Sequence, residues 1–155
     1  RSIDPYFIYA KAPETAKIIK LARDTNNSMP SFVCKYVKKI VSSGKIAVLG
    51  ISYKGNTGDD RESPAYEIIA ELESDGYEIA IHDPHIKRDD LVSLADAIDG
   101  ADLILILCDH NEFKHPDYEL ISKKMKKPVI FDTKDIIHRV PDDVTLYNYG
   151  NLYTI

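Results

Sequence analysis

The stretch that most restricts what this chain can fold into is Lys45-Ile-Ala-Val-Leu-Gly-Ile-Ser-Tyr-Lys-Gly-Asn-Thr-Gly-Asp-Asp-Arg-Glu-Ser-Pro-Ala65. Ile46 to Leu49 is a continuous apolar run too short for a helix, and it reads as a strand buried on both faces. Gly50 follows at once, then a segment dense in Gly, Asn, Asp and Thr. Ser63-Pro64-Ala65 then opens a helix with a cap-capable serine and proline at its first position. A strand, a polar loop and a helix in that order form the repeating unit of a parallel α/β sheet. The loop falls where such sheets place their ligands, ahead of a helix N-terminus that favours anions. A phosphorylated ligand is the first expectation. The plainer alternative is that the glycines only make a tight connection and Lys54 is solvated.

Two familiar phosphate signatures nearly fit this loop and both fail. Gly50-Ile51-Ser52-Tyr53-Lys54-Gly55 lacks the middle glycine of the dinucleotide fingerprint, and Tyr53 and Lys54 stand where the backbone would have to approach a pyrophosphate. Gly50 and Gly55 have the frame of a P-loop, but Asn56 occupies the place of its lysine. Arg61 is flanked by Asp59, Asp60 and Glu62, so it is expected to pair internally and, with Ser63, to brace the turn. Lys54 has no acid within four residues on either side and is expected to face the ligand.

Beyond this unit the pattern keeps alternating. A helix from about Pro64 to Ser74 turns Ile68, Ile69 and Leu72 inward and stops at Asp75-Gly76. Strands follow at Tyr77 to Ile81, Ala101 to Leu107, Val129 to Phe131 and Thr145 to Tyr149, with helices at Leu91 to Ile98 and Tyr118 to Lys126. Right-handed crossovers then give a Rossmann-like, doubly wound parallel sheet of about five strands, expected in the order 3-2-1-4-5. Ligand contacts are expected from Lys54 to Arg61, Asp109 to Phe113 and Asp132 to Asp135. Asp83 stands where a dinucleotide fold keeps its ribose acid, and as Asp-Pro it is also an ordinary strand stop; the structural reading is preferred. His110 with Asp109 and Glu112 could form an acid–base group, but no nucleophile stands beside them, so they read as surface polar residues.

Ahead of the sheet lies a long helical arm, residues 14 to 43. Ala16, Ile18, Ile19 and Ala22 make one apolar stripe; Phe32, Val33, Tyr36, Val37, Ile40 and Val41 make a second. Pro30 either kinks one long helix or starts a second. The double stripe exceeds what the following domain needs, so the arm is expected to pack on another domain or subunit. Residues 1 to 13 read as the tail of a preceding segment, which divides the chain into 1–43 and 44–155. The net charge of −5 is spread among interspersed lysines and leaves no basic footprint for nucleic acid. No apolar run approaches the roughly 18 residues of a membrane span, and nothing resembles a signal peptide, so a cytoplasmic chain without a membrane partner is expected. Cys34 and Cys108 have no metal-type spacing and read as buried free thiols; no metal site is expected.

From Gly50 to Ala65 the chain resembles the C-terminal, UDP-binding domain of the UDP-sugar 6-dehydrogenases, whose loop reads Gly-x-x-[Phe/Tyr]-Lys and then Thr-x-Asp-x-Arg-Glu-Ser-Pro. His82-Asp83-Pro84, Asp109-His110-Asn111-Glu112-Phe113 and Phe131-Asp132-Thr133-Lys134 are similar to later family motifs in order and spacing. Asp4-Pro5-Tyr6-Phe7 is closer to the UDP-N-acetylmannosamine and UDP-N-acetylglucosamine branch than to the UDP-glucose enzymes. The resemblance implies an NAD-dependent, two-step oxidation of a sugar C6 alcohol to the carboxylate through a cysteine-linked thiohemiacetal. Asp4 is the catalytic residue it assigns here, with the nucleophilic cysteine just upstream of Arg1 and NAD held by an N-terminal domain outside this chain. Ser2 has the wrong spacing to replace that cysteine, so the chain alone is expected to be inactive. Tyr53, Lys54 and Lys134 are implied as contacts to a UDP-sugar, Lys134 standing where the family has an arginine. The long arm is implied as the central helix of a homodimer or higher homo-oligomer. Two alternatives stay open: a non-catalytic nucleotide-binding or assembly module, and a genuine NAD-binding domain.

Overall fold

Four apolar residues in a row, Leu103 to Ile106, are all buried, and that requires a strand covered on both faces and flanked on both edges. The computed structural model, which describes residues 10–14 and 16–155, places it there. Five parallel strands, β1 (Lys45–Leu49), β2 (Glu78–His82), β3 (Leu103–Ile106), β4 (Val129–Asp132) and β5 (Thr145–Tyr147), line up in the order β2-β1-β3-β4-β5. The expected order 3-2-1-4-5 is therefore wrong. It would leave the most apolar strand at an edge. That position goes instead to β2, whose Glu78 is exposed and whose other residues are half-buried. The chain reverses direction across the sheet between β1 and β3.

Helices cover both faces, and the alternation along β3 shows how. Leu103 and Leu105 join one buried cluster with Val48, Ile51, Ile68, Leu72 and Phe131. Ile104 and Ile106 join the other with Leu49, Ile98, Phe113, Ile121 and Ile130. α1 (Lys17–Ile40) and α2 (Ala65–Ser74) contribute to the first cluster; α3 (Leu94–Ile98) and α4 (Tyr118–Lys124) contribute to the second. α3 and α4 are shorter than their patterns promised. They begin where Ser93 and Asp117 accept the Asp96 and Leu120 amides, caps that local spacing alone does not place.

α1 runs unbroken through Pro30, which is buried. Its two stripes have different fates. Val33, Cys34 and Val37 enter the same cluster as Leu72 and Ile46, and the Tyr77 hydroxyl donates to the Val41 carbonyl at 2.6 Å. The expectation that the arm packs elsewhere thus fails for its second stripe. On the first stripe Ala16 is buried, while Ile18 is 82% exposed and, on the same half of the helix, Leu21 is 67% exposed. No helix among the described residues is long and apolar enough to cross a membrane.

Leu72 is fully buried in the cluster that α1 joins. Leu72→Ala should lower unfolding free energy by about 2–5 kcal/mol in a single cooperative denaturant transition. A separate early transition for α1 would show that the helix folds apart from the sheet.

Candidate functional site

Where the chain reverses between β1 and β3, the loops after β1, β2 and β3 meet at the carboxyl edge of the sheet. They pack tightly there. Gly50 has φ +86°, and a Cβ on it would lie 2.4 Å from the Cys108 Cβ. A Cβ on Gly55 would lie 2.5 Å from the Asp109 carbonyl oxygen. These two glycines let the β1 loop lie directly on the β3 loop, so their smallness serves protein against protein.

Beneath this contact sits Asp83, 5% exposed. Its Oδ2 accepts from Ile51 N (2.9 Å), Ser52 N (3.1 Å), the Ser52 hydroxyl (3.1 Å) and His110 Nε2 (3.1 Å), and its Oδ1 accepts from His85 N at 2.9 Å. Burial pushes this carboxyl up. The donors, first the His85 and Ile51 amides and then His110, outweigh that and hold it below the usual range.

His110 is fully buried, which overturns its reading as a surface residue. The Asn56 amide donates to its Nδ1 at 2.8 Å, so the ring proton sits on Nε2 and points at Asp83. Asn56, in the left-handed region at φ 60°, also accepts from Asn111 N at 2.9 Å through its side chain. One residue thereby ties the β1 loop to the β3 loop twice. Both nitrogens of His110 are occupied, so it serves neither as an acid–base group nor as a metal ligand. The nearby set His85, His110 and Glu112 therefore leaves only His85 and Glu112 to a cation, and these two already pair with each other. His85 Nε2 lies 3.1 Å from Glu112 Oε1 across its mouth.

This network changes the expected source of positive charge. The amides of Ile51, Ser52 and Asn56 are spent on Asp83 and His110, and that of Tyr53 on the Asp59 carbonyl. The Ala65 amide at the start of α2 is taken by the Ser63 hydroxyl at 3.3 Å. The Ile51, Ser52, Tyr53, Asn56 and Ala65 amides are therefore not available to a ligand. Asp132 is likewise consumed, accepting from Lys134 N, Ile136 N and Ile137 N.

Lys54 and Lys134 are both exposed, on the loops after β1 and β4, the two strands that flank β3. Neither ammonium has a hydrogen-bond or ion-pair partner among the described residues. Tyr53, beside Lys54, is 57% exposed. Arg61 grips Asp59 with two bonds of 2.9 and 2.8 Å; this Arg61 contact holds the Asp59 carboxyl down at about 2. The pair is exposed and adds little to stability. Asp60 is held from the other side by Tyr66 and Arg88. Asp4 lies outside the described residues. Cys34 and Cys108 are buried, and burial pushes their thiols up to about 12 and about 11, so neither is a ready nucleophile.

The residues present do not fit NAD. Tyr53 and Lys54 fill the close-approach position, and Asp83, at the ribose-acid position, has spent both oxygens inside the protein. Sequence reasoning missed the Asp83–His110 link because its halves lie 27 residues apart. The available signal was a polar residue in the loop after each of two strands, β2 and β3, that flank β1.

Residues 47–139 match the model of the UDP-glucose/GDP-mannose dehydrogenase family, UDP binding domain. Among relatives, a UDP-N-acetyl-D-mannosamine dehydrogenase of Methanocaldococcus jannaschii is 44% identical over 146 residues, covering 89% of this chain and 34% of that protein. The solved UDP-N-acetyl-mannosamine dehydrogenase of Staphylococcus aureus superposes with a TM-score of 0.88 at 43% identity, over 99% of this chain and 38% of that one. The corresponding structure from Pyrococcus horikoshii gives 0.82 at 35% identity, over 95% and 37%. The chain spans about a third of the length of the curated relatives it matches.

Because the Asp83 carboxyl is depressed in the folded state, its contribution to stability is present above the unfolded value of about 3.9 and is lost as pH falls through the folded value. The melting temperature should therefore drop below about pH 4. Asp83→Asn should cost about 3 kcal/mol at pH 7 and show a shallower drop than the parent. Parallel curves of melting temperature against pH would remove Asp83 as the source.

Proposed function

The chain belongs to the UDP-glucose/GDP-mannose dehydrogenase family through its UDP-binding domain, and we propose that it holds the UDP of a UDP-N-acetylhexosamine in an NAD-dependent 6-dehydrogenase. The leading substrate is UDP-N-acetylmannosamine, oxidised to its uronate. The observation that carries this reading is the pair of ammonium groups, Lys54 and Lys134, unpartnered among the described residues, above a floor in which the Ile51, Ser52, Tyr53 and Asn56 amides are already used. A diphosphate needs counter-charge, and these two side chains supply it as point charges free to follow the ligand. Tyr53 offers an exposed ring to the uridine. Ser63 and Arg61 shape the turn behind it.

The rest of the reaction is assigned outside the described residues. NAD belongs to an upstream domain, since nothing here fits it. Asp4 belongs to the chemical step, next to a cysteine ahead of Arg1. In this reading residues 1–43 link that catalytic part to 44–155, and the enzyme works in the cytoplasm. The bare half of α1, with Ile18 and Leu21, packs against the same helix of a second copy to make a homodimer or higher homo-oligomer.

Two measurements test these assignments. Calorimetry should find UDP and UDP-sugars bound and NAD not bound. Lys54→Ala should weaken UDP by about 1.5–3 kcal/mol, roughly 10- to 150-fold, at an unchanged melting temperature. Parental UDP affinity in Lys54→Ala together with Lys134→Ala would overturn the reading. For the oligomer, light scattering should report a multiple of 17.5 kDa for the parent and a single chain for Ile18→Glu with Leu21→Glu. A monomeric parent would refute the helix contact.

A further inference from the structure

A second cleft, of about 540 Å³, lies between the loop leading into α4 and the segment that follows β4. Its walls are Lys114, His115, Pro116 and Tyr118 on one side and Ile136, His138 and Arg139 on the other. The chain has 25 acidic residues against 20 lysines and arginines, yet among the described residues no acid lines this cleft, while Lys114, Arg139 and two histidines do. Lys114 Nζ donates only to the neutral Asn111 side chain, at 2.7 Å. The side chains of His115, His138 and Arg139 have no hydrogen-bond or ion-pair partner among the described residues. Of the acids adjacent in sequence to the wall, Asp117 spends Oδ1 on the Leu120 amide at 3.0 Å, and none of Asp117, Glu119 and Asp135 is part of the wall.

The opening is built into the fold. The Tyr118 hydroxyl donates to the Arg139 carbonyl at 2.9 Å, tying one wall to the other. The volume lies within the roughly 300–1,000 Å³ typical of small-ligand sites. The Lys114 and Arg139 charges, gathered in a concave site, focus a positive potential that draws anions. Pro116, Tyr118 and Ile136 add apolar surface for an organic body beside that charge.

We propose that this cleft binds a phosphorylated small molecule, with its phosphate between the Lys114 ammonium and the Arg139 guanidinium and its organic portion against Tyr118, Pro116 and Ile136. Arginine grips a phosphate through two parallel N–H bonds, and lysine adds a point charge. The cleft shares no residue with Tyr53, Lys54 and Lys134, so it stands whether or not that crevice takes UDP.

The test is an amide NMR titration of the 155-residue chain with inorganic pyrophosphate, in the presence and absence of saturating UDP. Saturable shifts should centre on Lys114, His115, His138 and Arg139 and persist when UDP is present. Lys114→Gln with Arg139→Gln keeps the backbone carbonyl that Tyr118 uses. It should weaken pyrophosphate by about 10-fold or more with the rest of the spectrum unchanged. Shifts confined to the loops of Lys54 and Lys134, no shifts at all, or parental affinity in the double variant would each overturn the proposal.

Discussion

One buried carboxylate holds the carboxyl edge of this sheet together. Removing a carboxylate from water costs several kcal/mol, and the cost is offset only when its lone pairs are filled by well-placed donors. Asp83 fills them from three loops at once: Ile51 and Ser52 after β1, His85 after β2, and His110 after β3. Pulling any of these loops away strands a charge in the interior. The loops accordingly hold one another, and the one after β1, with three glycines, an asparagine and two serines from Gly50 to Pro64, depends most on the other two.

The price of that rigidity is that the Ile51, Ser52, Tyr53 and Asn56 amides are closed to a ligand. A loop that resembles a phosphate cradle in sequence turns, once folded, four of its amides toward Asp83, His110 and the Asp59 carbonyl. Charge selection passes to side chains that stand above the floor. The division separates shape from charge: the backbone network sets where the crevice is, and flexible lysines set what it attracts.

The sheet was largely legible because short apolar runs such as Ile46 to Leu49 and Leu103 to Ile106 have little other use. Strand order was not, because sequence alternation says that crossovers exist without saying toward which edge each one turns; the burial of β3 on both faces decides it. The preference for Asp83 as a structural acid rested on the broken glycine fingerprint of the first loop and on Asp-Pro as a strand stop, and the folded chain gives that reading its physical content. His110 was misread because a histidine among Asp, Asn and Glu has the local polarity of a surface loop. Its burial depends on an acceptor in another part of the chain. The glycines of the first loop were legible as necessary but not in their purpose, since the atoms they make room for belong to Cys108 and Asp109.

α1 adds a mechanical element. Twenty-four helical residues rise roughly 36 Å. One end of this rod is set into the domain by Val33, Cys34 and Val37, while the other carries Ile18 and Leu21 into solvent. A rod fixed at one end works as a ruler: any body resting on its far end inherits a set distance and heading from the crevice, and a tilt at the buried end is magnified in proportion to its length.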